Sequence, residues 1–234
     1  MEEENFRLDL SRQAKLIDQD KINNYTIKLF GVGSIGSHTA LTLAKIGFKN
    51  IEVYDRDIVG SENISAQAYM IKHIGMTKVS AISNLMLEYT NMTPIEFFGS
   101  ITPETEIEIL PNTIYMCLFD SIEARKMVFD KLKGYPVLFV DSRIGGFNMR
   151  YYFVRCDNDT EVDEYEKTLL VGADIGGVAQ LECGEKACAV VNNQLSAKIV
   201  ANLVNYISGK SYYKSFIGSA EYGANDLYTL VDKK

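Results

Sequence analysis

The chain has 234 residues, 47% of them apolar, and a formal net charge of −7. That suffices for one domain, or one with a small appendage, around a sizeable core. It argues against a general nucleic-acid binder, which needs a basic face.

No run approaches the roughly 18 apolar residues of a membrane-spanning helix. The acidic start "MEEENFRLDL" lacks a signal-peptide core, so a soluble cytoplasmic protein is expected. Four cysteines, Cys117, Cys156, Cys183 and Cys188, do not make a disulfide framework in a chain this long.

In chain order, residues 1–24 read as an N-terminal arm with a short helical stretch from about Arg7 to Lys21. Residues 25–146 read as a nucleotide-binding core. There "YTIKLFGV" is a buried strand running into glycines, "SHTALTLAKIG" a helix closed by Gly47, and "NIEVYD" a second strand. "MTKVSAISNLMLEYT" predicts a helix and "IEFFGS" a short strand after it. "TIYMCLFD" predicts a strand through Asp120, "SIEARKMVFDKLKGY" a helix capped by Ser121, and "PVLFVDSRIGG" another strand. Strands alternating with helices predict an α/β fold: a Rossmann-like, mostly parallel sheet with helices on both faces. Residues 147–234 belong to the same domain and read as antiparallel strands from "NMRYYFVRC" onward, then a long helix, "NNQLSAKIVANLVNYISG", ended by Gly209. The tyrosine-rich tail is left unassigned.

Gly31-Val32-Gly33-Ser34-Ile35-Gly36 fits G-x-G-x-x-G between a predicted strand and a predicted helix. Glycines there allow a sharp turn and close approach of a phosphate, and the helix start favours the anion. Asp55 ends the next strand, where an acid can accept hydrogen bonds from ribose hydroxyls. These features alone do not separate NAD or FAD from ATP. Asp57, "IVGSENISAQ" and the lysine of "IGMTK" follow. A nicotinamide enzyme has no need of that lysine, whereas an enzyme releasing pyrophosphate does.

With Ser11-Arg12-Gln13 ahead of the turn, Asp55-Arg56-Asp57-Ile58-Val59 and Asn63-Ile64-Ser65-Ala66-Gln67 after it, then Ile74-Gly75-Met76-Thr77-Lys78 and Asp120, followed by Arg125 in the next helix, the chain resembles the ThiF/MoeB-type adenylyltransferases of the ubiquitin-activating superfamily. The resemblance implies ATP-dependent activation of a C-terminal carboxylate, on a ubiquitin-like protein, a sulfur carrier or a peptide, as an acyl-adenylate with loss of pyrophosphate. It implies that Gly31, Gly33, Ser34, Ile35 and Gly36 cradle the nucleotide and that Asp55 holds the ribose. Asp57, Asn63 and Gln67 would support the pocket. Lys78 would contact phosphates, and Asp120 would bind Mg²⁺. Arg12 would reach the triphosphate of a neighbouring subunit, which implies a homodimer. The structural alternatives are a solvated helix charge at Lys78, a helix N-cap at Asp120 and a surface arginine at Arg12.

The pattern N-x-x-R-Q is broken: Ala66 stands where the arginine belongs. Arg143, just past the carboxyl end of a predicted parallel strand, is the candidate replacement cation, ahead of Arg56 and Lys72. Its alternative role is partner to Asp141. No zinc is expected, because Cys183 and Cys188 have no second cysteine pair and neither His38 nor His73 lies near them. Either of those cysteines is reactive if exposed near the long helix, or an ordinary buried residue. Two other readings stand beside adenylation: a non-catalytic nucleotide-binding or dimeric scaffold, supported by Ala66, and a nicotinamide or flavin oxidoreductase, supported by the glycines alone.

Overall fold

The computed structural model describes residues 8–170, 188–220 and 226–231. Eight strands are present there: β1 (Thr26–Phe30), β2 (Asn50–Asp55), β3 (Ile95–Phe98), β4 (Thr113–Cys117), β5 (Leu138–Gly145), β6 (Asn148–Arg155), β7 (Tyr212–Ser219) and β8 (Leu227–Val231). The helices are α1 (Gln19–Ile22), α2 (Ser34–Ile46), α3 (Lys78–Thr90), α4 (Ile122–Leu132), α5 (Asp159–Leu170) and α6 (Ala189–Ile207). All eight strands join one sheet in the order β3-β2-β1-β4-β5-β6-β7-β8. Pairings from β3 to β5 are parallel, and those from β5 to β8 are antiparallel. The Rossmann-like, mostly parallel sheet read from the sequence is the observed one.

Both faces of the parallel part are covered, so β1 is buried at four of its five positions. Ile27 and Leu29 of β1, Val53 of β2 and Met116 of β4 pack with α2, α3 and α6. Phe30, Tyr115, Cys117 and Phe139 point the other way, toward α4 and α5. Segment 99–112 crosses that second face without a helix, its Ile101, Ile107 and Ile109 packing on the same cluster. On that face Lys28 Nζ lies 3.2 Å from Glu52, which also accepts from Tyr54 Oη at 2.6 Å.

Local chemistry explains most boundaries. Gly47 closes α2 at φ +100°, in the left-handed region that favours glycine. Thr77 and Ser121 cap α3 and α4 by accepting from Ser80 N and Ala124 N. Three features depart from the sequence reading. β4 stops at Cys117, and the chain turns before Asp120. Helix α5 was not foreseen. The tyrosine-rich tail supplies β7 and β8, which extend the sheet edge.

The connectivity also fixes where a ligand can sit. From β1 the chain moves outward to β2 and β3, then returns to β4 on the other side of β1. The carboxyl ends of β1 and β4 therefore flank the switch point, where open α/β sheets bind ligands.

Candidate active site

The glycine turn and the end of β4 are built against each other. Gly31 has φ +93°, and a Cβ there would lie 2.8 Å from Phe119 Cβ and 2.9 Å from Phe119 N. At Gly36 a Cβ would lie 2.0 Å from the carbonyl oxygen of Gly31. Only hydrogen fits at either position. Gly33 differs: a Cβ there meets nothing within 4 Å among the described residues. That leaves open space at the start of α2. Among the described residues no side chain caps that start, so the first N–H groups, beginning with Ser34 and Ile35, are available to an anion.

Asp55 ties β2 to this turn. Its Oδ2 accepts from Val32 N at 2.8 Å, and its Oδ1 accepts from Asp57 N at 2.8 Å. Each oxygen keeps a lone pair for a hydroxyl donor. Burial raises the Asp55 carboxyl above its ordinary value, while those two N–H bonds and the nearby Lys78 oppose the rise. Lys78 Nζ lies 2.8 Å from Asp57 Oδ2. Lys78 is only 7% exposed, so it is not a solvated helix charge. Asn63 Oδ1 accepts from Gly60 N at 2.9 Å, fixing the bend after Val59. Gln67 is half-buried, and its Oε1 is buried with no hydrogen-bond partner among the described residues.

Asp120 is exposed in the turn after β4, beside the Phe119 that crowds Gly31. Ser121 is the cap of α4, so Asp120 does not serve in that role. Arg143 does not join these residues. Its Nε donates to Asp141 at 2.8 Å, and its terminal nitrogens donate to the carbonyl and hydroxyl of Thr168, each at 3.0 Å. The rings of Tyr152 and Tyr165 lie alongside. The expectation of a replacement cation at Arg143 is therefore corrected: its guanidinium is bound on the α4–α5 face.

Arg12 is exposed in a 3-10 turn, Ser11–Gln13, that docks on the far end of α2. Gln13 Nε2 donates to the carbonyl of Lys45 at 3.2 Å. The 13 residues of α2 separate that end from the glycine turn by about 20 Å. Within one chain, Arg12 is thus remote from the other candidates.

Two contributors were not singled out in the sequence. Tyr69 Oη donates to the carbonyl of Val32 at 2.6 Å, locking the glycine turn from behind. Asn192 Nδ2 donates to the carbonyl of Ala66 at 2.7 Å, and His38 Nε2 lies 3.3 Å from the same oxygen. Position 66 is thereby pinned between α2 and α6. Both contacts are long-range, so only the fold reveals them.

The residues fit a magnesium nucleotide. Space over Gly33, free N–H groups and the Asp55 lone pairs suit phosphate and ribose. A single exposed carboxylate suits Mg²⁺, which keeps several waters and is held by one or two carboxylates plus substrate phosphates. Among the described residues no group of three or more His, Cys, Asp or Glu could hold a metal by itself. Nor is any helix among them long and apolar enough to cross a membrane. Cys117 and Cys156 are buried, and burial pushes the Cys156 thiol up to about 12. Cys188 is half-buried at the N-cap of α6, and Cys183 lies outside the described residues.

The chain is 26% identical over 180 residues to "Ubiquitin-like modifier-activating enzyme 5" of Rattus norvegicus, covering 76% of this chain and 42% of that protein. It is 31% identical over 131 residues to "NEDD8-activating enzyme E1 catalytic subunit" of Arabidopsis thaliana, covering 51% of this chain and 29% of that one. It thus spans less than half the length of these curated relatives. Among solved structures, PaaA superposes with a TM-score of 0.71 at 18% identity, covering 91% of this chain and 66% of that one. E. coli MccB with ATP superposes with a TM-score of 0.66 at 16% identity, covering 90% and 65%. The model of the ThiF family matches residues 7–227, and the chain belongs to that family.

Proposed function

We propose that the protein is an ATP-dependent adenylyltransferase that activates the C-terminal carboxylate of a polypeptide, a ubiquitin-like protein, sulfur carrier or peptide. The observation that carries this reading is the convergence of Asp55, Asp57 and buried Lys78 with the Gly31–Gly36 turn. A nicotinamide site has no use for that lysine. Family membership supports adenylation in general, and E. coli MccB, a structural neighbour solved with ATP, supports the nucleotide.

In this reading Asp55 orients the ribose, and the N–H groups at the start of α2 hold phosphate oxygens. Lys78 exchanges part of its contact with Asp57 for phosphate. Asp120 would hold Mg²⁺, and the ion would supply neutralisation of charge on the pyrophosphate. A carboxylate oxygen of the partner attacks the α-phosphorus, the bond to the bridging oxygen of the β-phosphate breaks, and pyrophosphate leaves. The chain's task is positioning and charge. Remote from its own site, Arg12 contributes to that of a second copy, so the working form is a homodimer in the cytoplasm.

A second reading, a nucleotide-binding scaffold, is favoured by Ala66, whose carbonyl is held by Asn192. Titration with ATP and Mg²⁺ by calorimetry, on wild type and Asp120→Ala, followed by ATP–pyrophosphate exchange with candidate carboxylates, tests both. Binding that weakens in the mutant, with exchange in wild type, supports the enzyme. Binding without exchange supports the scaffold.

A further inference from the structure

Arg125 lies in the first turn of α4, directly after the Asp120 turn, yet its side chain points away from the crevice and is 4% exposed. It donates to the carbonyl of Cys117 at 3.3 Å and to the carbonyl of Phe119, and pairs with Asp141. One guanidinium thus grips the last residue of β4 and the residue immediately before Asp120. The neighbouring strand β5 carries the carboxylate that anchors it. On the other side of the turn, Phe119 closes against Gly31.

The charge count there is uneven. Asp141 is fully buried and serves both Arg125 and Arg143. Were Asp141 alone the reason for a buried cation, Arg143 would suffice, since it reaches Asp141 and is also satisfied by Thr168. Arg143 does not reach the pair of turn carbonyls: its guanidinium is bonded to Asp141 and Thr168. That difference identifies what the second arginine adds.

We propose that Arg125 is a positioning residue that holds the turn between β4 and α4 so that Asp120 presents its carboxylate to the metal carried by the triphosphate. The proposal rests on the reading of Asp120 given above. Partners that orient a metal-binding carboxylate contribute about 10–100-fold to metal affinity, and Arg125 does so through the backbone.

The test is calorimetric titration of ATP, with Mg²⁺ and with EDTA, on wild type, Asp120→Asn, Arg125→Met and Arg125→Lys, each checked for folding by thermal melting. Arg125→Met leaves Asp141 paired with Arg143, so no buried carboxylate is stranded. Expected is an unchanged affinity in EDTA and a loss of about tenfold or more in the Mg²⁺-dependent gain. Arg125→Lys keeps the charge but has a single attachment point, so it should recover part of the gain. If Arg125→Met does not fold, the lysine variant decides by the same split. A full Mg²⁺-dependent gain in the variant that folds, or an equal loss with and without Mg²⁺, would overturn the proposal. An unaltered gain in Asp120→Asn would instead overturn the assignment of Asp120 itself.

Discussion

The main-chain N–H of Val32 donates to Oδ2 of Asp55 at 2.8 Å, so the acid at the end of β2 also braces the glycine turn after β1. Its other oxygen is bonded by Asp57 N, which starts the segment leading to Lys78. Asp55→Ala therefore removes more than a ribose contact. A hydrogen bond to a charged group contributes about 1.5–3 kcal/mol. Adenosine-nucleotide affinity should fall by about 10–100-fold, since each 1.4 kcal/mol is tenfold. Asp55→Asn should fall less, because its amide oxygen can replace one acceptor. Calorimetry on both variants checks the order.

The three glycines should separate into two kinds of lesion. Gly31→Ala and Gly36→Ala place a methyl group 2.8 Å from Phe119 Cβ and 2.0 Å from the Gly31 carbonyl, so both should lower the melting temperature. Gly33→Ala meets no atom within 4 Å among the described residues. It should remain folded and lose ATP affinity, because the methyl group occupies ligand space. Thermal melts beside ATP titrations would show the two patterns.

Acid should weaken nucleotide binding sooner than an ordinary aspartate would. Burial is the main cause that raises the Asp55 carboxyl, and only the ionised form offers acceptors to both ribose hydroxyls. Ionised-site affinity is complete well above the raised value and declines as pH falls through it, a window above the usual aspartate value of about 3.9. The stability contribution has the opposite sense: it is fully present below the unfolded value and lost as pH rises through the folded one. Adenosine, whose lack of phosphate removes a competing titration, is the suitable ligand. Its pH profile should flatten in Asp55→Asn.

Much of the candidate site is local, which is why its residues can be picked out from the sequence. Gly31 to Gly36, Asp55, Asp57 and Lys78 each sit at a strand end or helix start whose position follows from hydrophobic patterning and capping residues such as Thr77. What escapes is long-range. Tyr69 and Asn192 act on Val32 and Ala66 through contacts no spacing reveals. Arg143 is the instructive case. Its parity with Phe139 and Asp141 along β5 puts it on the α4–α5 face, but α5 is an acidic segment, "DTEVDEYEKTLL", with few apolar positions. Without α5 there is no Thr168 to receive the guanidinium, and the arginine reads as free for phosphate. The tail strands escaped for a related reason: β8 is exposed along most of its length, so it lacks the alternation that marks a half-buried strand.

The buried cluster around Asp141 predicts an asymmetry between its members. Asp141 holds two arginines, with side chains 4% and 10% exposed, and has no exposure of its own. Asp141→Asn therefore strands two buried cations at once, and breaking a buried pair costs about 3–5 kcal/mol. For a domain of this size that is a fall of about 10 °C in melting temperature. Arg143→Met leaves Asp141 with Arg125 and removes the contacts to Thr168, so it should cost less than Asp141→Asn. Lys126→Ala, at a pair with both partners well exposed, should be nearly silent. Thermal melts of the three variants check the order. If Arg143→Met proved the most damaging, the docking of α5 through Thr168 would outweigh charge balance at Asp141 as the main contribution of the cluster.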